Sequence, residues 1–249
     1  MTLTVHQFPC LSDNYGFLIR DEASGQVATI DTPDAQAILA ELDKLGWKLD
    51  LILNTHWHPD HAGGNEALKT ATGATIAGPS EVTRIAPLDR VVRDGDVVML
   101  GETRFEVIDS GGHTLGHVAY HDAADALAFV GDTLFALGCG RLFEGTAEQM
   151  WGSLARLTAL PDATTIYCAH EYTASNARFA LSVDDDPALK ARAEQIFAAR
   201  ERGEATVPTT IAAEKATNPF LRAPLLRPDA ASPAQAFAEI RAAKDSFKG

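Results

Sequence analysis

The chain has 249 residues, enough for one large domain or for a domain with a smaller one appended. Its 21 Lys and Arg stand against 34 Asp and Glu, a formal net charge of −13, and no basic stripe is available to follow a phosphate backbone, which argues against nucleic acid as a partner. Cys10, Cys139 and Cys168 are odd in number and lack CxxC spacing, so free thiols in a reducing, cytoplasmic setting are expected. The opening MTLTVHQFPC has neither the charged start nor the apolar core of a signal peptide, and no apolar run approaches the ~18 residues of a membrane span.

Leu3–Phe8, Tyr15–Ile19 and Gln26–Ile30 alternate and are rich in β-branched residues, which predicts three strands, the last two joined at Ser24-Gly25. After Pro33, apolar residues at Ala35, Ile38, Leu39, Leu42 and Leu45 have helical spacing, stopped by Gly46, and Leu49–Leu53 follows as a buried strand. This strand, helix, strand order is of the βαβ type, whose carboxyl edge commonly carries a site. The segment NTHWHPDH occupies that edge.

Further strands are predicted at Val97–Leu100, Arg104–Asp109, His117–His121, Ala126–Val130 and Thr165–Cys168, with a helix over Ala147–Leu160. Beyond about Tyr172 the pattern turns helical: Ala174–Asp185, a helix capped at Asp186-Pro187 and closed by Gly203, and Pro233–Ala243. A Pro- and Thr-rich loop is expected between Glu204 and Pro228. Residues up to Tyr172 carry 10 basic and 24 acidic side chains, those from Thr173 on carry 11 and 10, so the two parts differ electrostatically. Two domains are expected, 1–172 and 173–249.

Residues i and i+2 of an extended segment project to one side, so His56 and His58 are able to close on one ion. Pro59 then breaks the strand, and Asp60 and His61 point to a second position that a single tetrahedral ion would not share. His113 in SGGHTLGH, Asp132 in VGDTLF and His170 in YCAHEY each follow a predicted strand and supply further ligands. Imidazole and carboxylate donors suit zinc, iron or manganese, and a carboxylate is able to bridge two ions. Two divalent metal ions are therefore expected, zinc first among them. His117 and His121 are read as strand residues.

The HxHxDH, Gly112-His113-Thr114, Gly131-Asp132-Thr133 and the late His170 together resemble the metallo-β-lactamase fold superfamily over Thr2–Tyr172. That resemblance implies an αβ/βα sandwich with metals at one edge of two sheets. It assigns His56, His58 and His113 to one ion, Asp60, His61 and His170 to the other, and Asp132 to a bridge.

Fold alone does not choose a substrate. PCLSDNYGFLI, GDTLFALGCGRLFEGT, AHEYT, NPFLR and RAAKDSF resemble the glyoxalase II family, whose members place a helical substrate-binding domain after the lactamase-type one. The resemblance implies hydrolysis of S-2-hydroxyacylglutathione thioesters, with S-D-lactoylglutathione giving D-lactate and glutathione in the second step of methylglyoxal detoxification. Glutathione contacts carry over to Arg141, Phe143, Tyr172, Arg241 and Lys244. Two positions depart from the family pattern, Arg141 where Lys is usual and Phe143 where Tyr is usual; Ala169 replaces the Gly before the late His.

Chemically, a hydroxide bridging the ions beside Asp60 and Asp132 would attack the thioester carbonyl, and the thiolate would leave without a strong acid. No G-x-S-x-G is present and neither Cys139 nor Cys168 has a nucleophile's context. Other readings are a lactonase, a lactamase or another thioesterase on the same scaffold, a mono-iron glutathione persulfide dioxygenase, or a binding protein that kept the fold. The expected partner is a small-molecule thioester met by a monomer, with no membrane and no nucleic acid.

Overall fold

The computed structural model describes residues 3–248, which divide into two compact units. One holds the described residues through Asp109 together with Gly116–Gly131; the other holds Ser110–Leu115 and the chain from Asp132 onward.

In the first unit, β1 (Leu3–Cys10), β2 (Asn14–Asp21), β3 (Val27–Ile30), β4 (Leu49–Leu53), β5 (Thr75–Gly78) and β6 (Arg90–Val91) form one sheet in that order. The first two pairings are antiparallel and the next three parallel. The change of direction follows from α1 (Ala35–Leu45), a crossover that returns the chain for β4. Asp34 caps α1 by accepting from the amides of Gln36 and Ala37, and Gly46 ends it at φ 66°, a conformation that glycine adopts at no steric cost.

Residues alternate across β2. Leu18 packs with Ile38, Leu42 and Leu68, so α1 and α3 (Asn65–Thr72) cover one face of the sheet. Its neighbour Phe17 faces the other way, with its ring centroid 5.6 Å from that of Phe129. Phe129 belongs to a second, antiparallel set of strands ordered β10 (Leu127–Gly131), β9 (Val118–Asp122), β8 (Thr103–Asp109), β7 (Val97–Leu100). Helices, sheet and second sheet are thus layered, and each fully buried Phe or Leu contributes about 1.5–3 kcal/mol.

Between β4 and α3 lies a single-turn helix, α2 (Pro59–Ala62), with Pro59 at its first position. His117, expected in a strand, lies just outside β9 and is fully buried.

The second unit contains the two-residue strands β11 (Leu134–Phe135) and β12 (Gly138–Cys139), then α4 (Ala147–Thr158), β13 (Thr165–Cys168), α5 (Thr173–Val183) and α6 (Pro187–Glu201). Asp186 caps α6 through the amide of Ala188, as its position before Pro187 predicts. Apolar residues of α5 and α6 close a small core of Leu137, Ala177, Ala180, Leu189, Ala193 and Ile196.

The expected loop from Glu204 to Pro228 is partly ordered structure instead: β14 (Thr209–Thr210) pairs with β13 and leads into α7 (Ile211–Thr217), followed by α8 (Ala223–Leu226). Thr210 caps α7 through the amide of Ala213, and a seven-residue helix is too short to show a period among Pro and Thr neighbours. The last helix, α9, runs Pro233–Ser246, with Ser232 as its cap. Among the described residues no helix is long and apolar enough to cross a membrane.

Candidate metal centre

His56 and His58 extend from the end of β4, and His56 Nε2 lies 3.0 Å from His58 Nδ1. Their neighbour Thr55 is held through its amide and hydroxyl, which donate to the two carboxylate oxygens of Asp31 at 2.7 Å each. Asp31 was not singled out in the sequence. It sits directly after β3 at φ 58°, the left-handed region that non-glycine residues seldom enter, and is 5 % exposed. Its Oδ2 is also 2.8 Å from His61 Nδ1, which leaves His61 Nε2 turned toward Asp60, 3.5 Å from Oδ2.

The backbone of this turn is pinned as well. The carbonyl of His61 accepts from the Thr32 amide at 2.8 Å and from Asn54 Nδ2 at 2.9 Å, and Asn14 Nδ2 donates to Asp60 Oδ2 at 3.2 Å. His117 stacks on His56 with centroids 4.8 Å apart, a role that its predicted place in a strand did not reveal. Asp31, His56 and His61 offer donor atoms all within 4.8 Å of one another.

In the second unit the carboxylate of Asp132 faces two imidazoles. Oδ2 lies 3.3 Å from His113 Nε2 and Oδ1 lies 3.3 Å from His170 Nε2. His113 Nδ1 donates to the carbonyl of Arg141 at 2.9 Å, which turns Nε2 toward Asp132. His170 stacks on Tyr172 at 4.7 Å with planes 2° apart, and Phe135 meets both edge-on. The loop after Asp132 returns so close that a Cβ on Gly140 would lie 2.0 Å from the Asp132 carbonyl oxygen, so only glycine fits there.

These separations suit metal ligands. Two donors each about 2.1 Å from a tetrahedral ion lie roughly 3.4 Å apart. The pairs His56 and His58, His61 and Asp60, His113 and Asp132, and His170 and Asp132 span 3.0 to 3.5 Å. Both units therefore carry His and Asp groups able to bind metal, and the Nδ1 atoms of His56, His61 and His113 are tied to a hydroxyl, a carboxylate and a carbonyl respectively.

A domain described as the metallo-beta-lactamase superfamily matches residues 22–170, and one described as the hydroxyacylglutathione hydrolase C-terminus matches residues 171–247. A hydroxyacylglutathione hydrolase from Maricaulis maris is 58 % identical over 253 residues, covering 98 % of this chain and 99 % of the relative. The chain belongs to the hydroxyacylglutathione hydrolase family. A second member, from Erythrobacter litoralis, is 54 % identical and covers 98 % of this chain and 100 % of its own length. Among solved structures, ETHE1 from Myxococcus xanthus superposes with a TM-score of 0.70 at 28 % identity, covering 96 % of this chain and 90 % of that one. The fold is accordingly that of the metallo-β-lactamases with the family's helical region at its carboxyl end.

The other residues that the sequence nominated lie in the second unit. Arg141 and Phe143 are exposed on the loop past β12, and the Phe143 ring is 5.2 Å from that of His113. Phe143 is 62 % exposed and Tyr172 37 %, unusual for aromatic side chains. Lys244 donates to the carbonyl of Ser175 at 3.2 Å. Its ammonium is pushed down to about 8, first by burial and then by Arg241 and Arg141, which marks a local concentration of positive charge in an acidic protein. Arg241 is 5 % exposed: Nε and Nη2 donate to Asp245, and Nη1 donates to the carbonyl of Cys139.

Proposed function

We propose that this chain hydrolyses S-2-hydroxyacylglutathione thioesters, S-D-lactoylglutathione among them, at a centre of two divalent metal ions. The identity of 58 % with a named hydroxyacylglutathione hydrolase, running through the helical region as well as the metal-binding one, is the observation that carries the reading. In this proposal His56, His58 and His113 serve one ion, Asp60, His61 and His170 serve the other, and Asp132 is shared. Zinc fits these donors first; iron and manganese are accepted by the same chemistry.

When bound, such a pair of ions supplies a water of lowered pKa and a Lewis acid for the thioester carbonyl. Asp60 and Asp132 would help to hold the ions, and neither would need to gain a proton. The leaving thiolate is far less basic than an alkoxide, so its departure needs no strong general acid. The protein's own thiols are poor nucleophiles, because burial pushes Cys10 and Cys168 up to about 12 and Cys139 up to about 11.

Glutathione carries two carboxylates, and Arg141, Lys244 and Arg241 supply the charge to attract them. Phe143 and Tyr172 supply apolar faces beside the cations. Residues 173–249 act as the substrate-binding domain of a cytoplasmic monomer, in keeping with three free, buried thiols.

The test is thioester hydrolysis of S-D-lactoylglutathione, read by free-thiol release, with metal analysis and oxygen uptake on the same sample. Turnover with about two metal equivalents and no oxygen consumed is the expected result. Two bound metals without thioester turnover would overturn the substrate assignment, and oxygen consumption with one iron would replace hydrolysis by oxidation.

A further inference from the structure

The hairpin of β11 and β12 stands between Asp132 and the pair Arg141 and Phe143. Its strands are two residues long, and Leu137 in its turn takes φ 56°, a left-handed conformation costly for leucine. Such a hairpin does not hold itself.

Five consecutive residues of it are each met by a side chain from far along the chain. Asn218 Nδ2 donates to the carbonyls of Phe135 at 3.1 Å and Gly138 at 3.0 Å. Asn176 Nδ2 donates to the Ala136 carbonyl at 3.1 Å, and Arg241 Nη1 to the Cys139 carbonyl, also at 3.1 Å. The Leu137 amide donates to Glu214 Oε2 at 2.9 Å. Backbone groups of a loop normally turn to solvent or to the loop itself, so this degree of side-chain service is unusual.

The network is closed on its far side. Glu214 is fully buried, and its charge is met by Arg192, the Thr209 hydroxyl and Asn218 Nδ2. A satisfied buried network of this kind is rigid, whereas the loss of one partner leaves a desolvated group behind. A Cβ on Gly138 would come within 2.4 Å of Asn176 Nδ2, so the clasp reaches closest where the hairpin has no side chain.

Asp132 has a separate anchor. The hydroxyl of its neighbour Thr133 donates to the Ser110 carbonyl at 2.8 Å. Past the hairpin, the Arg141 carbonyl accepts from His113 Nδ1 at 2.9 Å and the Phe143 amide donates to the His113 carbonyl at 3.3 Å, so the loop bearing these two residues is held at His113 on one side and by the clasped hairpin on the other.

We propose that Asn176, Glu214, Asn218 and Arg241 are positioning residues, which fix residues 135–139 so that Arg141 and Phe143 are presented to glutathione at a set distance from Asp132. This inference rests on the function proposed above. It gives the helical region a second task besides touching substrate: it sets the shape of the loop that touches substrate.

The test uses Asn176→Asp, which keeps the shape but removes the donor, and Asn176→Ala. Leu157→Ala, a buried position on α4 outside the clasp, serves as a control for general loss of stability. Steady-state kinetics on S-D-lactoylglutathione are combined with calorimetric binding of the inert analogue S-methylglutathione, thermal melting, metal content and amide hydrogen exchange over residues 137–141. Both Asn176 variants are expected to raise KM and the analogue's Kd by about 5–10-fold, with kcat within about twofold and metal content unchanged. Exchange over 137–141 is expected to quicken in both. Affinity and exchange no different from those of Leu157→Ala at an equal loss of Tm would overturn the positioning role. Wild-type protein that binds the analogue but leaves the thioester intact would refute the functional reading and leave the positioning role standing; wild-type protein that does neither refutes both.

Discussion

Asp31 Oδ2 lies 2.8 Å from His61 Nδ1 while the same carboxylate takes the amide and hydroxyl of Thr55. One buried side chain thus fixes the ring orientation of His61 on α2 and the backbone next to His56. Replacing Asp31 by Asn keeps the shape and removes the charge that holds a proton on His61 Nδ1. Loss of such an outer partner is expected to weaken metal retention by about 10–100-fold, measured by competition with a chromophoric chelator. Retention equal to wild type would show that Asp31 serves only the fold of the turn.

Asp132 faces two imidazoles at equal distances. Asp132→Ala should remove most of the turnover and about one metal equivalent. Full activity with two bound ions would end the case for a shared ligand.

Lys244 gives a pH dependence of a definite sign. Burial and two neighbouring arginines hold its pKa at about 8, below the ordinary 10.5. The cost of keeping the ammonium charged in the folded protein is fully present below pH 8 and fades as pH rises from there toward 10.5. Binding of an anionic substrate needs that charge, so KM should climb as pH passes through about 8. In Lys244→Met the rise should disappear, KM should already be high at pH 7, and Tm at pH 7 should not fall. An unchanged pH profile of KM in the variant would remove Lys244 from the substrate site.

Phe143 carries no hydroxyl, and its ring is well exposed beside His113. Phe143→Tyr adds a neutral donor worth about 0.5–1.5 kcal/mol, which predicts a KM for lactoylglutathione lower by roughly 2–10-fold with little change in kcat. A KM that stays level or rises would show that this chain grips glutathione by another route.

The nominated ligands stood out because such residues cluster in recurring spacings, four of them in the single run from His56 to His61 and His113, Asp132 and His170 each in a glycine- or strand-flanked context, and the structure brings His56 beside His58, His61 beside Asp60, and His113 and His170 to Asp132. Asp31 did not stand out, since a single Asp after a strand looks like any turn former, and only its folded position reveals that it faces His61. His117 was misplaced by one residue at a strand boundary, the least certain feature of any pattern reading, and its packing on His56 went with it.

The helical region shows the same division. Asp186-Pro187 and Ser232-Pro233 announce their helices through capping chemistry. Glu214 and Asn218 announce nothing, because their partners are backbone groups about eighty positions earlier in the chain, and backbone groups have no sequence signature. Arg241 was legible as a cation, yet its burial and its bond to Cys139 follow from packing alone.

The hydrogen bonds from residues 176–241 to the hairpin bear on how far such a protein can be shortened. A chain ended after Tyr172 would keep the HxHxDH, His113, Asp132 and His170, and so every nominated ligand. It would also leave four carbonyls and an amide of residues 135–139 without the side chains that meet them. Such a fragment would keep the nominated chemistry and lose what meets the backbone of residues 135–139, so it is expected to take up metal yet to bind S-methylglutathione poorly.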